Sequence, residues 1–222
     1  MDDSKELWLG LRSKFKEHDV RFGPASSGDY VNDPKHLVFV AARYKFVAKM
    51  IDGLESALEV GCGDAFGAPI VAQAVGQLLC TDIDEETLSE NRARCKFVRN
   101  LSFEYFDFRR DQHALNTDAA VLVDVLEHIY PAEEQKFLQN IAGSLNPTGV
   151  AIIGTPNISA EKYSSPNSKI GHVNLKDHKS LKETCLTFFN NVFMFSMNDE
   201  VVHTGFAPMA HYLWAVCAYP KR

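Results

Sequence analysis

Apolar and polar positions divide this chain into a helical front part and a long alternation of apolar runs with helix-compatible stretches. Between Ser4 and His18, Leu7, Leu11 and Phe15 recur every four residues, which predicts a short amphipathic helix with one apolar stripe. Phe22 to Val31 carries Gly-Pro and Ser-Ser-Gly and reads as a loop. Asp33-Pro34 opens a second helix, with an acid at the cap and proline in the first turn. Leu37, Val40, Ala41, Tyr44, Val47 and Ala48 form its inner face.

The pattern then changes. Ala57 to Val60 is a first strand, Ala68 to Val75 is helix-compatible, and Gln77 to Thr81 is a second strand followed by a helix to about Lys96. Leu101 to Phe106 alternates as a third strand. Asp118 to Val125 is apolar enough for a buried central one. Pro131 opens a helix with Phe137, Leu138, Ile141 and Leu145 inward, and Asn146 to Gly149 is a turn before a fifth strand, Val150 to Gly154. Ile158 to Asp177 loses the pattern. As a long loop after the fifth strand, it should lie over the carboxyl ends of the strands, where such sheets bind ligands. Lys179 to Phe189 reads as a helix, Val192 to Met197 as a sixth strand and His211 to Tyr219 as a seventh. The expectation is an α/β domain over 1–222, with 1–50 as a helical cover and 57–219 as the core.

The chemistry gathers at Leu58-Glu59-Val60-Gly61-Cys62-Gly63-Asp64-Ala65-Phe66-Gly67. An apolar strand feeding a glycine-rich turn and then a helix is how a parallel sheet presents a nucleotide site. Phe66 stands where a dinucleotide loop would have its third glycine, and Glu59 would repel a pyrophosphate but suit an amino-acid ammonium. The stretch resembles the first motif, E/D-x-G-x-G-x-G, of the class I methyltransferases that use S-adenosylmethionine. Ala65 departs from that motif. Alanine accepts a positive φ poorly, so a different local turn is expected there. Asp124-Val125-Leu126-Glu127-His128-Ile129 resembles the D-x-L-E-H-I segment of the ubiquinone-biosynthesis O-methyltransferase type, at the right distance from the glycine loop.

This resemblance implies a Rossmann-like, seven-stranded, mostly parallel sheet with helices on both faces and an antiparallel last strand. It implies S-adenosyl-L-methionine as cofactor, held by Glu59, Gly61, Cys62, Gly63, Asp82, Ile83, Asp107, Phe108, Asp124 and Leu126. Asp82 lies about twenty residues past the first glycine, the spacing that sets an acid at a strand tip for the ribose hydroxyls. Asp84 reads as a helix cap. Asp107 matches the acceptor of the adenine amino group, and Phe108 either packs on the ring or belongs to the core. The N-terminal helices either lie over the ligands or only cover the sheet edge.

An oxygen acceptor needs a proton acceptor, and histidine suits neutral pH. His128, His172, His203 and His211 are available. His172 and His203 lie in or beside segments that should close the site, and His128 matches a cofactor-side position. The segment Asn198 to His211, polar, aromatic and rich in histidine, resembles the ends of bacterial methyltransferases of surface-polysaccharide and sugar metabolism. That implies a hydroxyl of a sugar-like small molecule. Phe66, Tyr30, Phe206 and Trp214 leave a quinone or phenol open. Asp199-Glu200 is a pair of neighbours with diverging side chains rather than a ligand cluster, so a reaction without metal is expected.

Composition narrows the partners. With 222 residues and a formal charge of −6, the chain's balance argues against a nucleic-acid partner, which would favour a basic face. No apolar run is long enough to span a membrane and no secretory leader is seen. Cys62, Cys80, Cys95, Cys185 and Cys217 are scattered without a C-x-x-C pair, as reduced core residues of a cytoplasmic protein would be. A homodimer is left open.

Overall fold

The computed structural model describes residues 3–15 and 19–222. Their order is α1 (Ser4–Phe15), α2 (Pro24–Asn32), α3 (Pro34–Met50), β1 (Ser56–Val60), α4 (Ala68–Ala72), β2 (Gln77–Asp82), α5 (Glu85–Arg94), β3 (Leu101–Tyr105), β4 (Thr117–Val123), α6 (Pro131–Gly143), β5 (Leu145–Pro156), α7 (Pro166–Gly171), α8 (His178–Phe188), β6 (Phe189–Asn198), β7 (Val201–His203) and β8 (Tyr212–Pro220).

These strands form one sheet in the order β3-β2-β1-β4-β5-β8-β6-β7. Pairing is parallel from β3 to β5, and β8 runs antiparallel between β5 and β6. The sheet therefore has eight strands where seven are expected. The extra one is β7, three residues that pair with the end of β6. Three residues are too few to show a period of two. The chain runs outward from β1 to β3 and resumes on the other side of β1 with β4. The point between β1 and β4 is where an open α/β sheet holds its ligand.

Both faces of the sheet are buried, which explains the nearly continuous apolar runs of β1, β4 and β5. Ala119, Val121 and Ile152 pack with Tyr44, Val47, Val71 and Leu88 from α3, α4 and α5 on one face. Ala120, Leu122 and Ile153 pack with Phe137, Ile141, Leu181 and Cys185 from α6 and α8 on the other. All five cysteines are buried and unpaired. The Asn146 to Gly149 turn is a bulge inside β5: Thr117 pairs with Leu145, but Ala119 pairs with Val150.

Three expectations for the front of the chain change. Pro24–Asn32 is a helix, not a loop. Pro24 supplies the fixed φ of a first helical residue. Asp64, from the glycine loop, accepts from the Ser26 amide at 2.8 Å and from its hydroxyl at 3.0 Å. This cap comes from another part of the chain, so local pattern does not reveal it. Second, the stripe of α1 is not buried: Leu7 and Phe15 are 66% and 57% exposed. Residues 16–18 of that expected helix lie outside the described residues. Third, Asp33 sits at the cap of α3 without a side-chain capping bond, so Pro34 marks that start.

Candidate functional site

The glycine turn follows directly from β1. Gly61 and Gly63 both have left-handed backbones, with φ of +69° and +50°. A Cβ on Gly61 would lie 2.8 Å from the Val125 side chain, so this turn and the one after β4 pass each other as only glycine allows. Ala65 also holds φ +56°, so the third position keeps a left-handed turn although it carries a methyl group. This corrects the expectation of a different turn. The strain, about 1–2 kcal/mol, is tolerated because the surroundings fix the residue.

Glu59 lies beneath this turn, 1% exposed. Tyr44 Oη donates to Glu59 Oε1 at 2.9 Å, and Cys80 Sγ donates to Oε2 at 3.0 Å. Burial, despite these two bonds, pushes the carboxyl up to about 7. Glu59 thus joins α3, β1 and β2 under the loop rather than lining the cleft. Cys62 and Leu126, also buried, do not line it either.

The cleft itself is about 310 Å³ and is bounded by Gly61 and Gly63, the tip of β2, the segment after β3 and the turn after β4. At the tip of β2, Asp82 Oδ2 accepts from the Gly63 amide at 2.9 Å and Oδ1 accepts from the Ile83 amide at 2.7 Å. Ile83 is half exposed on the cleft. Asp84 caps α5, accepting from the amides of Glu86 and Thr87, and is absent from the cleft lining. Asp107 is gripped by Arg109, whose Nε and Nη2 each donate at 2.9 Å; this holds the carboxyl below its usual range. Phe108 is 2% exposed, packed 4.6 Å from the Phe106 ring, and forms the floor of the cleft from the core side.

Behind the turn after β4 lies a second, polar arrangement. Asp124 closes the cleft with a left-handed backbone, φ +57°, and accepts from Arg43 Nη1 at 2.5 Å. The Arg43 guanidinium lies over the Tyr212 ring at 4.1 Å. Glu127 is fully buried, and Thr155 Oγ1 donates to its Oε2 at 3.0 Å. Burial, with the Asp124 charge beside it, pushes Glu127 up to about 8. His128 Nδ1 is 2.9 Å from the Gly171 carbonyl, which only accepts, so Nδ1 carries a proton and donates it there. His172 caps α7 and meets the His128 ring edge-on at 5.1 Å; burial and His128 hold it below the ordinary histidine value.

Five buried side-chain atoms lack a hydrogen-bond partner among the described residues: Arg43 Nε, Asp124 Oδ1, Glu127 Oε1, His172 Nδ1 and Tyr212 Oη. All five belong to this arrangement. Buried polar atoms are nearly always paired, by protein, water or ligand, so such a concentration singles this arrangement out as a candidate ligand site.

The segment 158–177 does reach this place, as expected of it. It is not structureless: it holds a 3-10 turn, Ile158–Tyr163, and α7. The amides of Val173 and Asn174 both donate to the Glu127 carbonyl, at 2.8 and 3.0 Å. His203 is elsewhere. It lies in β7, its Nε2 is 2.9 Å from Asn198 Oδ1, and its Nδ1 accepts from the Gly205 amide at 2.9 Å. His211 stands 6.3 Å from the Phe39 ring, outside the cleft lining. Arg43 and Tyr212 are the site residues that sequence reasoning missed; Glu127 stood in the D-x-L-E-H-I segment but was given no role. A lone arginine on the buried face of α3 was the one available signal for Arg43.

Residues 58–151 match a family described as a methyltransferase domain. A probable S-adenosylmethionine-dependent methyltransferase of Mycolicibacterium smegmatis is 30% identical over 106 residues, 45% of this chain and 37% of that protein. The chain thus matches little more than a third of that curated relative's length. Two similar solved structures are the N-methyltransferase NodS from Bradyrhizobium japonicum in complex with S-adenosyl-L-homocysteine and the methyltransferase domain of bacterial CtHen1. NodS has a TM-score of 0.64 at 15% identity, covering 86% of this chain and 91% of that one. The CtHen1 domain has 0.69 at 14%, covering 82% and 100%.

Proposed function

We propose that this chain is a class I S-adenosylmethionine-dependent methyltransferase that methylates a hydroxyl of a small, polar, sugar-like acceptor; its methyltransferase-domain match, its curated relative and its fold support the reading. S-adenosylmethionine supplies a methyl group already made electrophilic by its sulfonium. The chain's residues fit that cofactor. Gly63 borders the cleft with nothing within 4 Å of where its Cβ would be, and Asp82 faces the same space with acceptor oxygens for ribose hydroxyls. Asp107 and Ile83 line the same cleft, which supports their reading as the adenine contacts.

The observation that carries the acceptor reading is the set of unpartnered polar atoms beside the cleft. It includes donors, at Arg43 Nε and Tyr212 Oη, and acceptors, at Asp124 Oδ1 and Glu127 Oε1. A molecule bearing several hydroxyls satisfies both kinds at once. An acceptor that could pair with only some of them would leave the rest buried and unsatisfied. The remaining atom, His172 Nδ1, belongs to a ring that stays neutral at pH 7, and the acceptor hydroxyl gives up its proton beside it. Orientation of the oxygen toward the methyl group and exclusion of water supply the rest of the barrier lowering.

The test has two parts. S-adenosyl-L-homocysteine should bind stoichiometrically in calorimetry. Transfer of an isotopically labelled methyl group should then be measured on hexoses, sugar nucleotides and simple phenols. His172→Asn should lower kcat by about 10²–10⁴ with the affinity for S-adenosyl-L-homocysteine unchanged. Labelling of phenols alone, or of a nitrogen, would rule out the sugar-like acceptor. Loss of cofactor binding in His172→Asn would make that residue part of the cofactor site instead.

A further inference from the structure

We infer that Arg109, rather than Asp107, recognises the base of the cofactor, and that Asp107 is the positioning residue that holds the Arg109 guanidinium for it. This rests on the cofactor reading above and reassigns one contact within it.

An ionised carboxylate offers about four acceptor positions and no donor. Asp107 Oδ1 accepts from the Arg109 amide at 3.0 Å and from Arg109 Nε at 2.9 Å. Oδ2 accepts from Arg109 Nη2 at 2.9 Å, and Arg110 Nε stands 3.3 Å from the same oxygen. The carboxylate is thus occupied by its own segment. Its side chain is 8% exposed, against 34% for Arg109. Both residues border the cleft, and Arg109 is the one with surface left to offer. Arg109 Nη1 has no hydrogen-bond partner among the described residues. Two parallel bonds to one carboxylate also fix the plane of a guanidinium, so little of its rotamer freedom is left to lose on binding.

A purine presents ring nitrogens that accept hydrogen bonds and a π face. A guanidinium answers both, with N–H donors for the nitrogens and a planar cation for the face. The amino group of adenine is a donor, and Asp107 has no acceptor position free for it. Recognition through Arg109 does not use that group. Hypoxanthine, which carries a carbonyl in its place, gives an arginine one more acceptor and should be taken as well. Recognition by Asp107 predicts the opposite, because the carbonyl would meet a carboxylate and neither could donate. Ile83, half exposed on the same cleft, offers a base apolar contact and no choice between the two.

The experiment is calorimetry on the whole chain with S-adenosyl-L-homocysteine and S-inosyl-L-homocysteine. Wild type should bind the two within about tenfold of each other. A preference for the adenosyl compound beyond about tenfold would overturn the inference, since a site built around the amino group rejects an analogue that lacks it far more strongly. This arm needs no variant. Arg109→Ala and Arg109→Lys should each weaken both compounds at least about tenfold, because lysine restores the charge but not the planar fork. Arg110→Ala should change neither. Asp107→Asn should weaken both compounds alike, and adding it to Arg109→Ala should cost nothing further, as expected of a residue that acts through Arg109. Wild-type or tighter binding of S-adenosyl-L-homocysteine by Arg109→Ala would show that the arginine only blocks the carboxylate, and would return the base to Asp107. Those results would leave the methyltransferase reading standing. A wild-type chain that binds neither compound would overturn both readings.

Discussion

Glu59 offers a sharp test of how the site is supported, because its ionisation can be read as stability. The perturbation is Glu59→Gln. The carboxyl is buried and rises from its ordinary 4.5 to about 7 in the folded chain. Below pH 4.5 it is protonated in both states, and burial carries no ionic penalty. Between 4.5 and 7 the unfolded chain ionises while the folded one stays neutral, so stability falls as pH rises. Above 7 both are ionised and the loss levels off. Each pH unit of that window is worth about 1.4 kcal/mol, so the full loss is about 3 kcal/mol. Glutamine keeps the shape, and its amide oxygen can still accept from Tyr44. It does not titrate. The assay is urea unfolding of wild type and Glu59→Gln, without cofactor, at several values from pH 4.5 to 8.5. Wild type should lose about 3 kcal/mol more than the variant across that range, or about 6–12 °C in Tm for a domain of this size. Parallel stability profiles would refute the reasoning, since they would mean that Glu59 ionises alike in both states.

Three further outcomes are expected. Asp82→Ala should weaken S-adenosyl-L-homocysteine by about 1–3 kcal/mol in calorimetry, because a charged acceptor is lost; wild-type affinity would remove Asp82 from the ribose site. Ala65→Gly should raise stability by about 1 kcal/mol in urea unfolding, since the left-handed strain exceeds the extra freedom of glycine in the unfolded chain; a destabilised variant would contradict the φ of that residue. Arg43→Met should destabilise by about 3 kcal/mol, at the low end for breaking a buried pair because the Asp124 side chain keeps 31% exposure. Adding Asp124→Asn to Arg43→Met should restore part of that loss, and a purely additive double variant would show the pair to be uncoupled.

Much of the fold was legible because its strands are buried on both faces and read as apolar runs between glycine and proline breaks. The cleft half of the candidate site was legible for a related reason. Its residues follow strand ends, and strand ends are marked in sequence. Asp82 and the Gly61 turn needed only that. The other half was not legible, because it depends on side chains meeting across distance. Arg43 comes from α3, Glu127 from the turn after β4 and Tyr212 from β8. Nothing local distinguishes Tyr212 from any other core aromatic. His203 looked well placed by sequence position, yet its ring is occupied within its own hairpin. Helix α2 was hidden because Asp64, not its own composition, caps it.

The tie between residues 173–174 and the Glu127 carbonyl has a dynamic consequence. It joins a segment lying outside the sheet to the turn at its tip. Asn174 also donates to Glu134 Oε1 at 2.7 Å, and Lys176 meets the same carboxylate at 2.7 Å. These are polar bonds with little apolar burial behind them; Ile170 is 81% exposed and Val173 36%. Opening such a strap costs far less than unfolding the sheet, because stability in a protein is distributed unevenly. The strap can therefore swing away and return while β1, β2 and the cofactor loop stay folded. His172 would leave with it, and Glu127 and His128 would remain. Under the proposed function, the two sides of the site would exchange their ligands on separate clocks: the cofactor at the pace of a rigid sheet edge, the acceptor at the pace of a hinged strip of chain.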